Sequence, residues 1–179
     1  MKFILFEGID GSGKTTLAKK LADKVRGVYY DSPPECMRDL RRSIIASDEI
    51  RLQYYLLGNI ITSEEIKSIM QTDHVICDRY IYSTIADHSV RLGRDIGIPQ
   101  SLVFPDYILY TKSDLRTLKE RLLKRDGKIK KGEIEFLDKV AQKMESLLRN
   151  RDNVLYLDTT NKNPEELIDL ILRNISLNA

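Results

Sequence analysis

Residues 8–16 have the types and spacing of a loop that binds the phosphates of a nucleotide. They read GIDGSGKTT, which satisfies the pattern GxxxxGK[ST]. Glycines let the backbone turn so that successive N–H groups face one anion. The ammonium of Lys14 would reach the β- and γ-phosphates, and the hydroxyl of Thr15 would ligate Mg²⁺. All nine residues are candidate triphosphate ligands: Gly8, Ile9, Asp10, Gly11, Ser12, Gly13, Lys14, Thr15 and Thr16.

A second group of charged side chains follows another short apolar run. Residues 74–77 read HVIC and are followed directly by Asp78, Arg79 and Tyr80. In open α/β sheets, ligands bind at the carboxyl ends of the strands. The sequence therefore predicts that Asp78 and Arg79 lie in the same site as the phosphate loop. A purely structural ion pair is the alternative interpretation of these two side chains.

Both groups depend on an alternation of strands and helices along the chain. Apolar runs predict strands near residues 2–7, 28–31, 74–78, 107–111 and 154–158. Apolar spacing and end signals predict a helix directly after the phosphate loop and further helices over 35–46, 50–70, 81–90, 114–124, 134–149 and 164–175. Ser47 and Asp48, Ser113, and Asn163 are the expected N-terminal caps of the third, fifth and seventh helices. This order predicts an α/β fold, a five-stranded parallel sheet with helices on both faces.

The composition indicates one globular domain over residues 1–179. Hydrophobic residues make up 42% and charged residues 31% of the chain. The net charge of +2 is too small to favour nucleic acid or membrane partners. Cys36 and Cys77 lack the spacing of metal ligands, and Cys77 is expected to be a buried free thiol, as in a cytoplasmic protein.

A polar segment late in the chain has the composition of a mobile lid. Residues 125–133 read RDGKIKKGE, and Arg121 precedes Arg125 by one helical turn. We therefore expect a lid over about 121–135, although an exposed basic helix is the alternative. A GTPase should carry the guanine-reading pattern NKxD, and this chain has Asn161, Lys162 and Asn163 without the aspartate. A lid with paired arginines instead favours closure over a phosphoryl donor and an acceptor.

These motifs together resemble those of the thymidylate kinase family. The run FEGIDGSGKTT, followed by DRYxxS at residues 78–83, matches that family, and the similarity spans nearly the whole chain. The resemblance implies the fold of the P-loop kinases and the reaction of ATP with dTMP to give ADP and dTDP, with Mg²⁺. It also implies a homodimer, for which the apolar helix over 50–70 is a candidate interface.

The resemblance assigns roles to the charged residues of both groups. Asp10 would recognise the sugar of the acceptor, because a carboxylate beside bound phosphates needs Mg²⁺ or a hydroxyl as a partner. Asp78 would hold Mg²⁺ through water or orient Arg79, and Arg79 would grip the acceptor phosphate with its planar donor fork. Since the loop itself carries no arginine, Arg121 and Arg125 are the candidates for the transition-state cation. The predicted catalytic set is Asp10, Lys14, Asp78, Arg79, Arg121 and Arg125.

The acceptor side departs from the family pattern. Tyr55 aligns with the aromatic residue that stacks on thymine, but Asn59 stands where the family has an arginine one helical turn later. Cys36 replaces another arginine, for which Arg38, Arg41 or Arg42 could substitute. The remaining acceptor candidates are Ser83 and Thr84, and the residues beyond them are Asp87 and His88, where an aromatic side chain is common. These changes predict tolerance of dUMP beside dTMP. Another small nucleotide or nucleoside kinase, or a regulatory NTPase switch, remains an alternative.

Overall fold

A parallel sheet of five strands lies at the centre of the fold. The computed structural model describes residues 1–44 and 47–177. Its strands run in the order β2-β3-β1-β4-β5 and pair in parallel throughout, so the expected sheet is confirmed. The bounds are β1 Phe3–Glu7, β2 Val28–Asp31, β3 Val75–Asp78, β4 Tyr107–Lys112 and β5 Val154–Asp158.

Seven helices cover the two faces of this sheet. Their bounds are α1 Lys14–Val25, α2 Glu35–Ile44, α3 Asp48–Ile69, α4 Ile81–Leu92, α5 Leu115–Asp126, α6 Glu133–Leu148 and α7 Pro164–Asn174. Each predicted helix is present, with ends that differ by a few residues at most. The expected end of the second helix at Ala46 lies outside the described residues.

The central strand β1 is buried on both faces. All five of its residues are buried, because helices pack on each side of the sheet. Phe3 and Leu5 belong to the apolar cluster that includes α4 and α6, and Ile4 and Phe6 belong to the cluster with α1 and α7. The phosphate loop therefore follows directly on a strand that is buried on both faces.

The capping residue of α5 differs from the one expected. Asp114, not Ser113, is the N-cap, and its carboxylate accepts a hydrogen bond from the backbone N–H of Thr117 at 2.7 Å. An N-cap side chain bonds the N–H two or three residues ahead, and the helix begins one residue too late for Ser113. The caps at Ser47 and Asn163 are confirmed, because their side chains accept hydrogen bonds from the N–H groups of Ile50 and Glu165.

Two further expectations concern the cysteines and the membrane. Cys77 is a buried free thiol, as predicted, and Cys36 is free and exposed on α2. Within 1–44 and 47–177, no helix is both long and apolar enough to cross a bilayer.

Candidate active site

The loop between β1 and α1 is shaped by close backbone contacts. Gly8 has a φ of 145°, and a Cβ atom there would lie 2.3 Å from the carbonyl oxygen of Thr111, so only glycine fits. The hydroxyls of Ser12 and Thr111 are hydrogen-bonded at 2.8 Å, which ties the loop to β4. The N-terminus of α1 begins at Lys14, so its free N–H groups and positive end face the site. The predicted phosphate cradle is therefore built on two adjacent strands.

Lys14 is buried within this loop. Its side chain is 4% exposed, and its ammonium donates a hydrogen bond to the carbonyl of Ile9 at 2.8 Å. Burial, and then repulsion from Arg79, lower the pKa of Lys14 to about 7, while Asp78 and Asp10 act in the opposite direction. A bound phosphate would restore the charged form, because it places negative charge beside the ammonium.

Thr15 and Asp78 form a set of oxygen atoms suited to Mg²⁺. The Thr15 hydroxyl donates to Asp78 Oδ2 at 2.5 Å, and the Tyr29 hydroxyl donates to the same oxygen at 3.4 Å. Asp78 Oδ1 is buried and has no hydrogen-bond partner in the described part of the chain. Hydroxyl and carboxylate oxygens with a free ligand position fit a hard cation. No cluster of three His, Cys, Asp or Glu side chains that could hold a metal ion exists among the described residues.

Arg79 pairs with Asp10 rather than with Asp78. One guanidinium nitrogen of Arg79 forms an ion pair with Asp10 Oδ1, and the other donates to the Gly8 carbonyl at 3.3 Å. Asp78 forms no ion pair with Arg79 in the ranges described, so its alternative role of orienting Arg79 is not supported. Arg79 has a φ of 71°, which residues with a side chain rarely adopt. Such strained backbone conformations cluster at functional sites.

Asp10 lies between two arginines. Besides its pair with Arg79, its Oδ2 is 3.8 Å from a guanidinium nitrogen of Arg125. Burial alone would raise the pKa of Asp10, but Arg79, Lys14 and Arg125 together hold it below its usual value. Asp10 is therefore an ionised carboxylate at the point where the cations of the loop, of the DRY segment and of α5 meet.

The two arginines of α5 occupy different environments. Arg121 donates to the Gly11 carbonyl at 3.2 Å and to the Thr159 hydroxyl and carbonyl at 2.9 and 2.8 Å. Arg125 is more exposed, and its main partner is Asp126 at 2.8 Å. Arg121 thus braces the phosphate loop against the turn after β5, whereas Arg125 extends toward Asp10. Each of the two arginines thus approaches a residue of the phosphate loop, Arg121 at Gly11 and Arg125 at Asp10. The alternative interpretation, an exposed basic helix without contacts to the site, does not fit either residue.

Two cavities open on either side of Asp10. The smaller cavity, about 420 Å³, is lined by the phosphate loop, Arg121, Thr159 and Lys162. The larger cavity, about 850 Å³, lies between α2, α3, α4 and α6 and includes Tyr55, Ser83 and Thr84. Four residues line both cavities: Asp10, Thr15, Arg79 and Arg125.

The predicted acceptor residues differ in their access to the larger cavity. Tyr55 lines it, with its ring 5.5 Å from the ring of His88. Asn59 is only 2% exposed and does not line it; its amide donates to the Tyr55 carbonyl at 2.7 Å and to the Thr84 hydroxyl at 2.8 Å. Asn59 therefore supports two residues of the cavity wall. At the far end, Asp87 pairs with Arg91 at 2.5 Å.

The three arginines that could substitute for the family arginine at Cys36 all belong to α2. Arg38 and Arg41 line the larger cavity, and Arg38 pairs with Asp31 at 2.7 Å. The side chain of Arg42 lies outside what the structure describes. Sequence reasoning did not identify Arg51 and Arg91, which also line this cavity. Only their tertiary placement reveals them, because basic residues on helices are usually solvated.

Glu7 is another residue of the site region that the sequence alone did not identify. It is fully buried at the end of β1, and its carboxylate accepts hydrogen bonds from the DRY segment. The signal available in the sequence was a single charged residue at the end of an apolar run. Burial raises the pKa of Glu7, although hydrogen bonds from Ser83 and the charges of Arg79 and Lys14 act in the opposite direction.

Sequence comparison relates the chain to one family. The sequence model of the thymidylate kinase family matches residues 6–171. A probable thymidylate kinase of Methanocaldococcus jannaschii is 33% identical, over 95% of this chain and 93% of that protein. A probable thymidylate kinase of Methanococcus aeolicus is 31% identical, over 97% of this chain and 95% of that protein.

Solved structures share the fold. A thymidylate kinase from Candida albicans, described as having broad substrate specificity, superposes with a TM-score of 0.78 at 21% identity, over 97% of this chain and 90% of that one. A deoxyadenosine kinase from M. mycoides, with dCMP and dCDP bound, gives a TM-score of 0.72 at 16% identity, over 96% and 97% of the two chains. The chain thus shares its overall fold with these two kinases.

Proposed function

Because the chain belongs to the thymidylate kinase family, we propose that its smaller cavity binds ATP and its larger cavity binds dTMP. The enzyme is an ATP-dependent nucleoside-monophosphate kinase that converts ATP and dTMP to ADP and dTDP. The observation that supports this arrangement is the junction of Asp10, Arg79 and Arg125 between the two cavities. A phosphoryl group passing from one cavity to the other would cross this junction.

The donor side consists of the phosphate loop and its cations. The loop N–H groups and the N-terminus of α1 would hold the β-phosphate, and Lys14 would bridge the β- and γ-phosphates. Thr15 and Asp78 would hold Mg²⁺, directly or through water. Bound there, Mg²⁺ neutralises charge on the phosphate oxygens. Arg121 keeps the loop in place through its contacts with Gly11 and Thr159.

The acceptor side holds one phosphate, one sugar and one base. Arg79 lines the larger cavity and contacts the phosphate loop through Asp10 and the Gly8 carbonyl, and its guanidinium would bind the acceptor phosphate in a bidentate manner. Tyr55 would stack on the base, and Ser83, Thr84 and Arg38 lie on the same wall of the cavity. Asp10 would engage the sugar while holding Arg79 in place.

Transfer itself needs alignment and neutralisation of charge. Phosphoryl transfer proceeds in line between donor and acceptor oxygens, and the protein contributes positioning and electrostatic stabilisation. Arg125 is the cation best placed to act on the transferred group, because it reaches the junction from the C-terminal end of α5. We propose that residues 121–135 form the lid that carries it inward when both nucleotides are bound.

A panel of acceptors at fixed ATP and Mg²⁺ tests this function. We expect ADP formation that depends on dTMP, with slower turnover of dUMP and little with other monophosphates or with nucleosides. Slow ADP release independent of every acceptor would indicate a regulatory NTPase. Activity restricted to a nucleoside or to another monophosphate would indicate a different kinase and overturn the assignment.

We also propose that the enzyme is a cytoplasmic homodimer. Ile50, Leu57 and Ile60 are exposed apolar residues on α3, and a second copy of the chain would cover them. The two free cysteines fit a reducing compartment. Sedimentation equilibrium tests the dimer, and a monomer at micromolar concentration would contradict it.

Replacing Asp10 should damage use of the acceptor more than binding of ATP. In Asp10→Ala, Arg79 loses its ion-pair partner at the junction, so kcat/KM for dTMP should fall about a hundredfold. The ATP dissociation constant should stay within about threefold, because Asp10 repels the triphosphate rather than binding it. Steady-state kinetics and calorimetry measure both quantities. Asp95→Ala is the matched control, since Asp95 is an exposed carboxylate that pairs with Lys143 and lines neither cavity. A larger loss for ATP than for dTMP would make Asp10 a structural residue of the loop.

Binding of ATP should take up a proton above neutral pH. The pKa of Lys14 is about 7 in the free protein, so at pH 8 most molecules carry a neutral amine there. The triphosphate favours the charged form and raises this pKa, so the complex holds one more proton than the free enzyme. At pH 6 the ammonium is already charged and little proton uptake should occur. Calorimetry at pH 8 in buffers of different ionisation enthalpy measures the exchange, and equal heats in both buffers would contradict the prediction.

A further inference from the structure

Glu7 connects the central strand to the segment that carries Arg79. Its Oε1 accepts hydrogen bonds from the backbone N–H groups of Tyr80 and Ser83, each at 3.1 Å. Its Oε2 accepts a hydrogen bond from the Ser83 hydroxyl. The side chain is fully buried, and both of its oxygens are engaged by residues that directly follow Arg79.

These hydrogen bonds cap α4 from another part of the chain. The residue at the N-cap position of α4 is Tyr80, and its side chain makes no capping hydrogen bond. Helices usually satisfy their first N–H groups with a Ser, Thr, Asp or Asn at that position. Here a carboxylate 73 residues earlier in the chain supplies the acceptor, and its negative charge also suits the positive end of the helix.

Arg79 is held on both sides by the end of β1. Its backbone N–H donates to the Phe6 carbonyl at 3.0 Å, and its guanidinium donates to the Gly8 carbonyl at 3.3 Å. The next N–H, that of Tyr80, is the one bound by Glu7. Three consecutive residues of β1 and the loop therefore fix a backbone with a φ of 71°, which a side chain rarely adopts unaided.

We propose that Glu7 is a positioning residue for Arg79: by capping α4 across the chain, its carboxylate oxygens hold the left-handed turn that aims the guanidinium at the acceptor phosphate. The inference rests on the proposed function, in which Arg79 binds that phosphate. Glu7 itself lines neither cavity. For this role the length of the Glu7 side chain matters more than its negative charge.

Two substitutions separate reach from charge. Glu7→Gln keeps the length of the side chain; its carbonyl oxygen can accept both N–H groups, and its amide can donate to the Ser83 hydroxyl. Glu7→Asp keeps the charge but is one methylene shorter, so it cannot reach the N–H groups of both Tyr80 and Ser83. We expect Glu7→Asp to weaken dTMP binding by about tenfold to a hundredfold and Glu7→Gln to change it by less than about threefold. ATP affinity should stay within about threefold in both variants.

A double-mutant cycle with Arg79→Ala shows whether Glu7 acts through Arg79. In that background, Glu7→Asp should cause no further loss of dTMP affinity, because the group it positions is gone. The matched control is Asp106→Ala, since the Asp106 carboxylate also accepts a hydrogen bond from a β1 N–H, that of Phe3 at 2.7 Å, but at the opposite end of the strand from Glu7. It should lower the melting temperature and leave dTMP affinity unchanged.

The outcomes distinguish the inference from the function on which it rests. If the wild-type enzyme neither binds nor phosphorylates dTMP, the proposed function fails. If the wild type binds dTMP and Glu7→Asp binds it equally well, the positioning role is overturned. An equal loss of ATP and dTMP affinity in Glu7→Asp, or an undiminished loss in the Arg79→Ala background, would likewise reject it in favour of general support for the fold.

Discussion

Arg79→Ala should lower kcat/KM for dTMP by about a thousandfold, because it removes the cation that binds the acceptor phosphate and the partner of Asp10 at the junction. The loss should appear in both KM for dTMP and kcat, since a misplaced acceptor oxygen also misaligns the transfer. The affinity for ATP should stay within about threefold, because removal of Arg79 takes a cation from the wall of the ATP cavity but also lessens the repulsion that lowers the pKa of Lys14. Initial-rate kinetics over a matrix of ATP and dTMP concentrations measure these effects.

Arg79→Lys tests whether acceptor use needs the planar guanidinium with its paired donors or only a positive charge. Lysine keeps a positive charge but cannot form two parallel hydrogen bonds to a phosphate while it also pairs with Asp10. We expect it to recover only a small part of the activity. Arg94→Ala is the control, because Arg94 is an exposed arginine paired with Glu49 and lines neither cavity. Near wild-type kinetics in Arg79→Ala would show that Arg79 does not bind the acceptor phosphate.

Arg125→Ala should reduce kcat by about a hundredfold to a thousandfold while dTMP affinity changes by less than about threefold. The physical reason is that Arg125 is exposed and paired with Asp126 in the free enzyme, so it contributes little to the ground state. Its charge would act only when the lid brings it to the transferred phosphoryl group. Single-turnover kinetics with both nucleotides bound isolates this step.

Arg116→Ala is the matched control for this second prediction. Arg116 lies on the same helix, pairs with Glu120 at 3.0 Å and faces solvent. Its loss should alter neither kcat nor affinity. Unchanged turnover in Arg125→Ala would assign the transition-state cation to another group, with Arg121 next in line because it already touches the phosphate loop.

The sheet and the loop could be read from sequence because their signals are local. The GxxxxGK[ST] spacing specifies a backbone shape by itself, and apolar runs of four or five residues specify buried strands. The capping error at α5 has the same local origin. Ser113 and Asp114 are both good caps, and only the helix start that tertiary packing selects decides between them.

The partners of charged residues could not be read in the same way. Asp10 and Arg79 are 69 positions apart, and their pairing depends on strand order, which the sequence does not encode by spacing. The contact of Arg121 with Thr159 joins α5 to the turn after β5, 38 positions later in the chain. The burial of Asn59 could not be predicted from the sequence either. An amide that faces a cavity and one that supports the wall of the cavity have the same sequence context.

The position of β1 also bears on how the enzyme is made. It is synthesised before its two neighbours in the sheet, β3 and β4, which end at Asp78 and Lys112. Until residue 112 has emerged, FILFE has an unpaired edge and apolar side chains on both faces, a combination that favours aggregation. Pairing across such long separations is slow. The strand that leads into the phosphate loop of the finished enzyme is thus an apolar segment that waits, during synthesis, for both of its partner strands.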